Sequence, residues 1–320
     1  MKFLRIDPYI VALFAVVLLA SLLPARDTAA EVLSPVTKGV VALLFFLHGA
    51  KLSRQAVIAG VTHWRLHLAV LGVSFVLFPL LGLAMGLIPP SILPTPLALG
   101  LLFLCCLPST VQSSIAFTAL ARGNVAAAVC AASASNLLGM AVTPVLVGLT
   151  MHAQGSGPGW DAAADIALQL LAPFIAGQLV RTWVAPFLER HKQLVSYVDR
   201  GSILLVVYAA FSHAVVEGVW TRVSAPELLV VTLLCAALLA LVLGLSTLLG
   251  KLLGFPIADR IVLTFCGSKK SLVTGAPMAA ILFAPAVAGV MIVPLMIFHQ
   301  LQLLACAWLA RRYGERPEET

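Results

Sequence analysis

Charged residues are scarce in this sequence. Asp, Glu, Lys and Arg together make up 10% of its 320 residues, whereas an ordinary soluble domain has about 25%. Hydrophobic residues account for 61% of the chain, and the mean hydropathy is +1.05. This composition excludes a soluble globular fold, because too little of the surface could be polar. It predicts a polytopic membrane protein.

Catalytic and metal-binding motifs are also lacking. Nearly all of the 13 carboxylates lie in loops or at the ends of apolar segments, so no Asp or Glu pair is available for acid–base catalysis, and no His-x-x-Glu-His motif occurs. The six cysteines lie in apolar segments without metal-ligand spacing. The net charge of +7 includes no run of five basic residues. We therefore expect neither an enzyme nor a nucleic-acid partner.

Long apolar windows are abundant. A transmembrane helix needs about 20 apolar residues, and such windows recur between Pro, Gly and charged residues. The first resembles a signal peptide, but Arg26 and Asp27 lie where a cleavage site needs small residues, so we expect an uncleaved helix. The sequence predicts ten spans, at 8–24, 34–50, 66–88, 96–121, 125–150, 163–183, 201–219, 226–250, 258–283 and 285–310.

The distribution of Lys and Arg favours an even number of spans. With ten spans and both termini cytoplasmic, fifteen basic residues fall in cytoplasmic segments and three fall outside, namely Arg26, Lys38 and Arg222. Membrane proteins carry such an excess on the cytoplasmic side. Short loops and compact length favour the cytoplasmic (inner) membrane of a bacterium, although a eukaryotic internal membrane would give a similar pattern.

The fourth and ninth windows share an interruption. Each has an apolar half, a polar break and a half rich in small residues, and the breaks begin at Pro108 and Gly267, 159 residues apart. Five spans per half is an odd number, which inverts the second half in the membrane. Paired broken helices mark polar substrate sites in transporters, so we expect a shared polar cavity. The predicted fold is all-α, with inverted five-helix halves at about 1–155 and 156–320.

Lys269 and Lys270 lie in the second break, with apolar residues on both sides. At the centre of a lipid-facing helix the pair would cost about 5–7 kcal/mol. We favour fixed cations in the cavity that pair with an anionic substrate or release a proton during transport. Two alternatives stay open. The ninth span could start at Leu272 and let both lysines snorkel to the surface, or the lysines could make a structural ion pair or carbonyl contact.

Other polar residues near the breaks are further candidates for binding substrate or ion. About half of the hydroxyls are expected only to satisfy the broken backbone, and serines among alanines often serve close helix packing. For His299, a hydrogen bond between helices is a slightly better explanation than a role in proton transfer. These candidates are Ser109, Thr110, Gln112, Ser113, Ser114, Ser133, Asn136, Ser268, Ser271, Thr274, His299 and Gln300.

Three stretches of the sequence resemble the bile acid:sodium symporter superfamily, in its divergent branch of bacterial proteins and eukaryotic relatives. They are "FFLHGAKLS" (45–53), "LPSTVQSSIAFTALARGNVAAAV" (107–129) and "CGSKKSLVTGAPM" (266–278). The resemblance covers essentially the whole chain. It implies a panel domain of helices one, two, six and seven, and a core domain that contains crossed breaks. It also implies alternating access and organic-anion substrates, such as sterol conjugates and keto acids, carried with sodium.

The sequence departs from that family where sodium would bind. Where sodium-coupled members have a Ser-Asn pair this chain has Ser114 and Ile115, and their next hydroxyl residues fall on Ala128 and Ala132. In the ninth helix their carboxylate falls on Phe265 and their amide pair on Lys269 and Lys270. A sodium site needs oxygen ligands, whereas a lysine brings an ammonium ion of its own. Sodium coupling is therefore not favoured.

The sequence as a whole favours a secondary active transporter of a small organic anion. Its expected partners are that anion and the lipid bilayer. No cofactor is expected, and a sodium ion is implied by the resemblance alone. The alternative is a regulatory membrane protein that affects ion homeostasis without transport, although its short loops leave little surface for a soluble partner.

Overall fold

Every regular element that the computed structural model describes is a helix. The described residues are 8–51, 63–152, 160–216, 218 and 224–316, so the basic residues Lys2, Arg5, Arg54 and Arg222 of the topology argument lie outside them. The helices are α1 (Pro8–Leu22), α2 (Asp27–Lys51), α3 (Trp64–Met85), α4 (Thr95–Cys106), α5 (Gln112–Leu120), α6 (Val125–His152), α7 (Trp160–Leu179), α8 (Arg181–Arg190), α9 (Lys192–Val216), α10 (Ala225–Leu252), α11 (Ile257–Gly267), α12 (Leu272–Leu282) and α13 (Pro285–Gly314).

Helical backbone occurs in all ten apolar windows, but several boundaries differ from the prediction. The second helix begins at Asp27 rather than at 34, where an acidic residue in the first turn suits the positive end of the helix dipole. The helix of the seventh window, α9, begins at Lys192 rather than at 201. The sixth window ends early, because the chain bends by 87° between Leu171–Leu179 and Arg181–Arg190.

Six helices of the described part are long and apolar enough to cross a membrane, or seven if the bent pair counts as one. The fourth and ninth windows do not contribute to that number. Each of these windows is divided into two helices. A helix needs about 20 residues to cross a bilayer, and each of the four helices is shorter than that.

The first break follows from local backbone chemistry. A residue before proline is pushed out of the helical region, and Leu107, before Pro108, has φ −76° and ψ 155°. α4 therefore ends at Cys106, and its last carbonyl groups have no helical partners. The second break begins after Gly267, where the hydroxyl of Ser268 donates to the carbonyl of Thr264 (2.5 Å).

The chain forms two compact units. The first comprises Met1–Leu52, Leu168–Ser224 and Ala276–Val290. In it α9 packs against α1 and α2, and α2 also packs against α8. Lys51 and Asp199 form an ion pair, and the Tyr208 hydroxyl donates to the carbonyl of Leu23 (2.8 Å). Polar contacts thus accompany the packing of the unit's apolar helices.

The second unit comprises Ser53–Ala167, Ala225–Gly275 and Met291–Thr320, and it contains every candidate site residue. α11 lies at its centre and packs against α3, α5, α6 and α10. Seven successive residues of α11, 261–267, are buried. This central position places the second break inside protein rather than in lipid.

Two glycines allow α2 and α7 to approach closely in the first unit. A side-chain carbon built on Gly49 would collide with the carbonyl of Phe174, and one on Gly177 would collide with the carbonyl of Phe46. Small residues permit such backbone contact between membrane helices. By contrast, a side-chain carbon built on Gly39 of α2 would have no other atom within 4 Å.

Gly49→Ala should lower the free energy of unfolding by about 1–3 kcal/mol, because the added methyl group overpacks a backbone contact. Gly39→Ala is the matched control on the same helix, and its extra helix propensity should leave stability unchanged or slightly higher. The melting temperatures of the two purified variants in detergent measure the difference. Equal melting temperatures would contradict the close α2–α7 contact.

Candidate functional site

The two helix breaks contact each other within the second unit. The first is the non-helical stretch 107–111, and the second is 268–271; together we call them the crossing. The N–H of Ser271 donates to the carbonyl of Pro108 (2.9 Å), and the Ser114 hydroxyl donates to the carbonyl of Phe265 (3.1 Å). Backbone groups that the breaks leave unpaired are therefore satisfied partly by the opposite break, as the low-dielectric interior requires.

The crossing is closed in this conformation. Both lysines have 0% of their surface exposed, so the snorkelling alternative is wrong, although α12 does begin at Leu272. Outside the crossing, Gln112 is exposed, whereas Ser113, Ser133, Asn136, His299 and Gln300 are partly exposed. The predicted residues inside it are all buried, at 6% exposure or less: Ser109, Thr110, Ser268, Lys269, Lys270 and Ser271.

The ammonium group of Lys270 is fully used in hydrogen bonds to backbone. Its Nζ donates to the carbonyl of Leu107 (2.6 Å), to that of Ser74 (2.8 Å) and to that of Cys105 (2.9 Å). An ammonium group has three protons and no acceptor, so three carbonyl oxygens match a charged lysine. We call these three oxygens the carbonyl cage.

One cage oxygen is left free by a π-helical turn in α3. In that turn, Val73–Leu77, the N–H of Phe78 bonds to the carbonyl of Val73 instead of that of Ser74. The next residue is Pro79, which has no N–H to donate. The carbonyl of Ser74 therefore has no donor from its own helix, and Lys270 supplies one.

The other two cage oxygens belong to the end of α4. Terminal helical carbonyls have no intrahelical donors, and they form the negative end of the helix dipole. The N–H of Ser109, which would bond to the carbonyl of Cys105 in a continuing helix, donates instead to the Ser135 hydroxyl (3.1 Å). A positive group at this end is stabilised both by hydrogen bonds and by the dipole.

Gln302 of α13 holds the backbone of Lys270 from both sides. Its Oε1 accepts from the N–H of Lys270 (2.9 Å), and its Nε2 donates to the Lys270 carbonyl (2.9 Å). The same Nε2 donates to Nδ1 of His299 (2.9 Å), which gives that histidine a structural partner. Sequence reasoning chose Gln300 instead. The spacing of buried Leu295, Phe298, Gln302 and Cys306 on one helix face could have indicated Gln302.

Lys269 lies beside Lys270 but has a different environment. Its Nζ is buried and has no hydrogen-bond partner within the part of the chain that the structure describes. It lies 3.9 Å from the centroid of the Phe117 ring, which in turn contacts Phe265. A cation–π contact offsets only part of the cost of burying a charge. Among the described residues, Lys269 is therefore a buried ammonium group without a hydrogen-bond acceptor.

The hydroxyl groups form two local sets. In the first set, the hydroxyl of Thr110, in the first break, bonds with the hydroxyls of Ser113 (2.9 Å) and Ser114 (3.1 Å) at the start of α5.

In the second set, the Thr274 hydroxyl donates to Oδ1 of Asn136 (2.8 Å) and bonds with the Ser271 hydroxyl (2.9 Å). Among the described residues, the structure gives Ser133 and Gln300 no hydrogen bond to either set.

A surface groove of about 710 Å³ lies elsewhere in the second unit. It runs between α3 and α10, and its walls are apolar except near Arg65. Lipid chains suit such a surface, because its apolar side chains need no polar partner. Buried charge, rather than groove size, therefore identifies the crossing as the candidate site.

Known proteins are similar to this chain over nearly its full length. The SBF-like CPA transporter family matches residues 7–315. "Uncharacterized protein PA2026" of Pseudomonas aeruginosa is 56% identical over 98% of this chain and 94% of its own. "Putative symporter YfeH" of Escherichia coli is 51% identical over 100% and 96%. "Sodium/bile acid cotransporter 7-A" of Xenopus laevis is 30% identical over 94% and 90%.

Lys270→Met should be much more destabilising than Lys269→Met. The first removes the donor of three buried carbonyls, each of which costs about 1–3 kcal/mol when unsatisfied. The second removes a buried charge without an oxygen ligand, so the free energy of unfolding should stay the same or rise. Thermal unfolding of both purified variants in detergent checks this. Equal losses would contradict the different environments of the two lysines.

Proposed function

Because the chain belongs to the SBF-like CPA transporter family, we propose that it is a secondary active transporter of a small organic anion that works by alternating access. The family membership agrees with the resemblance seen in the sequence motifs. The names of two relatives, a symporter and a sodium/bile acid cotransporter, support transport as the activity. We assign the protein no catalytic reaction.

The observation that carries this proposal is the environment of Lys269. A buried ammonium group that lies against an aromatic ring and has no hydrogen-bond partner among the described residues is destabilising unless an anion neutralises it. A substrate carboxylate or sulfonate would supply charge-assisted hydrogen bonds to its protons. We therefore place the anionic group of the substrate at Lys269, in a conformation that opens the crossing to one side of the membrane.

Two features of the fold support alternating access. The breaks of the fourth and ninth windows contact each other, as crossed helices of an inverted ten-helix repeat would. In addition, most of the first unit comes from windows one, two, six and seven, which correspond to the panel domain of the resemblance. The segment Ala276–Val290 is an addition to that set. In the family that the sequence resembles, a panel domain and a core domain of this make-up work by alternating access.

The relatives' names also bear on substrate and location. A sodium/bile acid cotransporter suggests bile acids, sterol conjugates or other organic carboxylates as the substrate class. The distribution of basic residues supports cytoplasmic termini, and the short loops, together with the bacterial relatives, support a location in a bacterial inner membrane.

Lys269→Gln should raise the substrate concentration for half-maximal uptake by about tenfold or more, because truncating one partner of a buried charge pair costs about 2–5 kcal/mol. Uptake of a panel of radiolabelled organic anions into proteoliposomes measures this. Lys251→Gln, an exposed lysine at the end of α10, is the matched control and should transport like the wild type.

Lys269→Arg keeps the charge and should retain more activity than Lys269→Gln. If Lys269→Gln transported every anion as well as the wild type did, Lys269 would not be the substrate's partner. If the wild type transported none of the panel, the proposed substrate class would be wrong.

A further inference from the structure

We propose that the carbonyl cage is a monovalent-cation site whose resident cation is the ammonium group of Lys270. The positive charge at the crossing would then belong to the chain itself and would not need to come from a free ion. The site is inferred from geometry alone. If the site exists, substrate uptake needs no sodium ion at this position. This consequence rests on the function proposed above.

The arrangement of oxygens is the first argument. The three cage carbonyls come from α3 and from the end of α4, and they converge on one nitrogen at 2.6–2.9 Å. Backbone carbonyls replace the hydration shell of K⁺ in channel filters, and carbonyls of unwound helices coordinate Na⁺ in transporters. None of the three belongs to the segment that carries Lys270, so the cage is built independently of its occupant.

The second argument is that the three buried carbonyls lack other donors. The carbonyl of Ser74 is freed by the π-helical turn and by Pro79, and the carbonyls of Cys105 and Leu107 are freed at the end of α4. All three are buried with Lys270, where water does not replace a missing donor. The negative end of the α4 dipole adds to the need for a cation. A cage without a cation would therefore be strongly unfavourable.

The fixed position of Lys270 is the third argument. Gln302 bonds both backbone groups of Lys270, and Nζ lies over the ring of Phe78, 4.0 Å from the ring centroid. Three carbonyls and an aromatic face suit an ammonium ion, which donates three directed hydrogen bonds. These contacts indicate a permanent occupant rather than a group that leaves during each transport cycle.

Lys270→Ala provides a direct test, because it removes the ammonium and three methylene groups and leaves the cage in place. The purified protein is heated in detergent with choline, sodium, potassium or n-propylammonium chloride at equal ionic strength. n-Propylammonium reproduces the deleted atoms, n-propanol is its uncharged counterpart, and tetramethylammonium is a cation without N–H groups. Lys269→Ala is the matched control, because its ammonium has no cage.

Lys270→Ala should melt about 5 °C or more below the wild type in choline. Saturable recovery of most of that loss by n-propylammonium or by sodium, with no response to n-propanol or tetramethylammonium, would support the cage as a cation site. Lys269→Ala should show no such recovery. A Lys270→Ala variant that responds to none of these cations would overturn the proposal.

The wild type gives a second measurement that does not depend on the folding of any variant. Its melting temperature should be the same in choline, sodium and potassium, because its cation is covalently attached. Saturable stabilisation by sodium alone would overturn the claim that Lys270 replaces a free ion. These measurements need no transport substrate, so they can succeed even if the proposed anion transport fails, and the reverse also holds.

Discussion

Backbone carbonyls that a broken helix leaves without donors are the constraint on which this site depends. In an apolar interior such groups need a partner from the protein, because no water is there to supply one. The ammonium group of Lys270 provides that partner for three carbonyls at once. The break in α4, the π-helical turn of α3 and the lysine therefore form one structural unit, in which the lysine pairs the carbonyls that the break and the turn leave free.

The neighbouring lysine has a different role because successive residues of a break face different surroundings. Lys270 faces carbonyl oxygens, whereas Lys269 faces the ring of Phe117. The positive charge of Lys270 is solvated by backbone carbonyls, and in the proposed function the charge of Lys269 pairs with the substrate anion. This division links the structure to a transport proposal in which the substrate, rather than a metal ion, completes the electrostatics of the crossing.

Much of this architecture could be predicted from the sequence, because its signals are local. Pro108 and the polar run after Gly267 mark the breaks, and apolar windows mark the helices. The partners of Lys270 could not be predicted. The carbonyl of Ser74 becomes available only through a π-helical turn and Pro79, and no residue type marks a free carbonyl. Gln302 was missed for another reason, since its helical spacing was available but His299 and Gln300 were more conspicuous.

The central claim is that Lys270 is a fixed structural cation and Lys269 an available one. Reductive methylation of the wild-type protein in proteoliposomes, with the modified lysines mapped by mass spectrometry, tests it most directly. The account predicts that Lys269 is methylated when the crossing opens, whereas Lys270 stays unmodified because its three protons are bound to backbone oxygens. Equal methylation of both lysines, or faster methylation of Lys270, would contradict it.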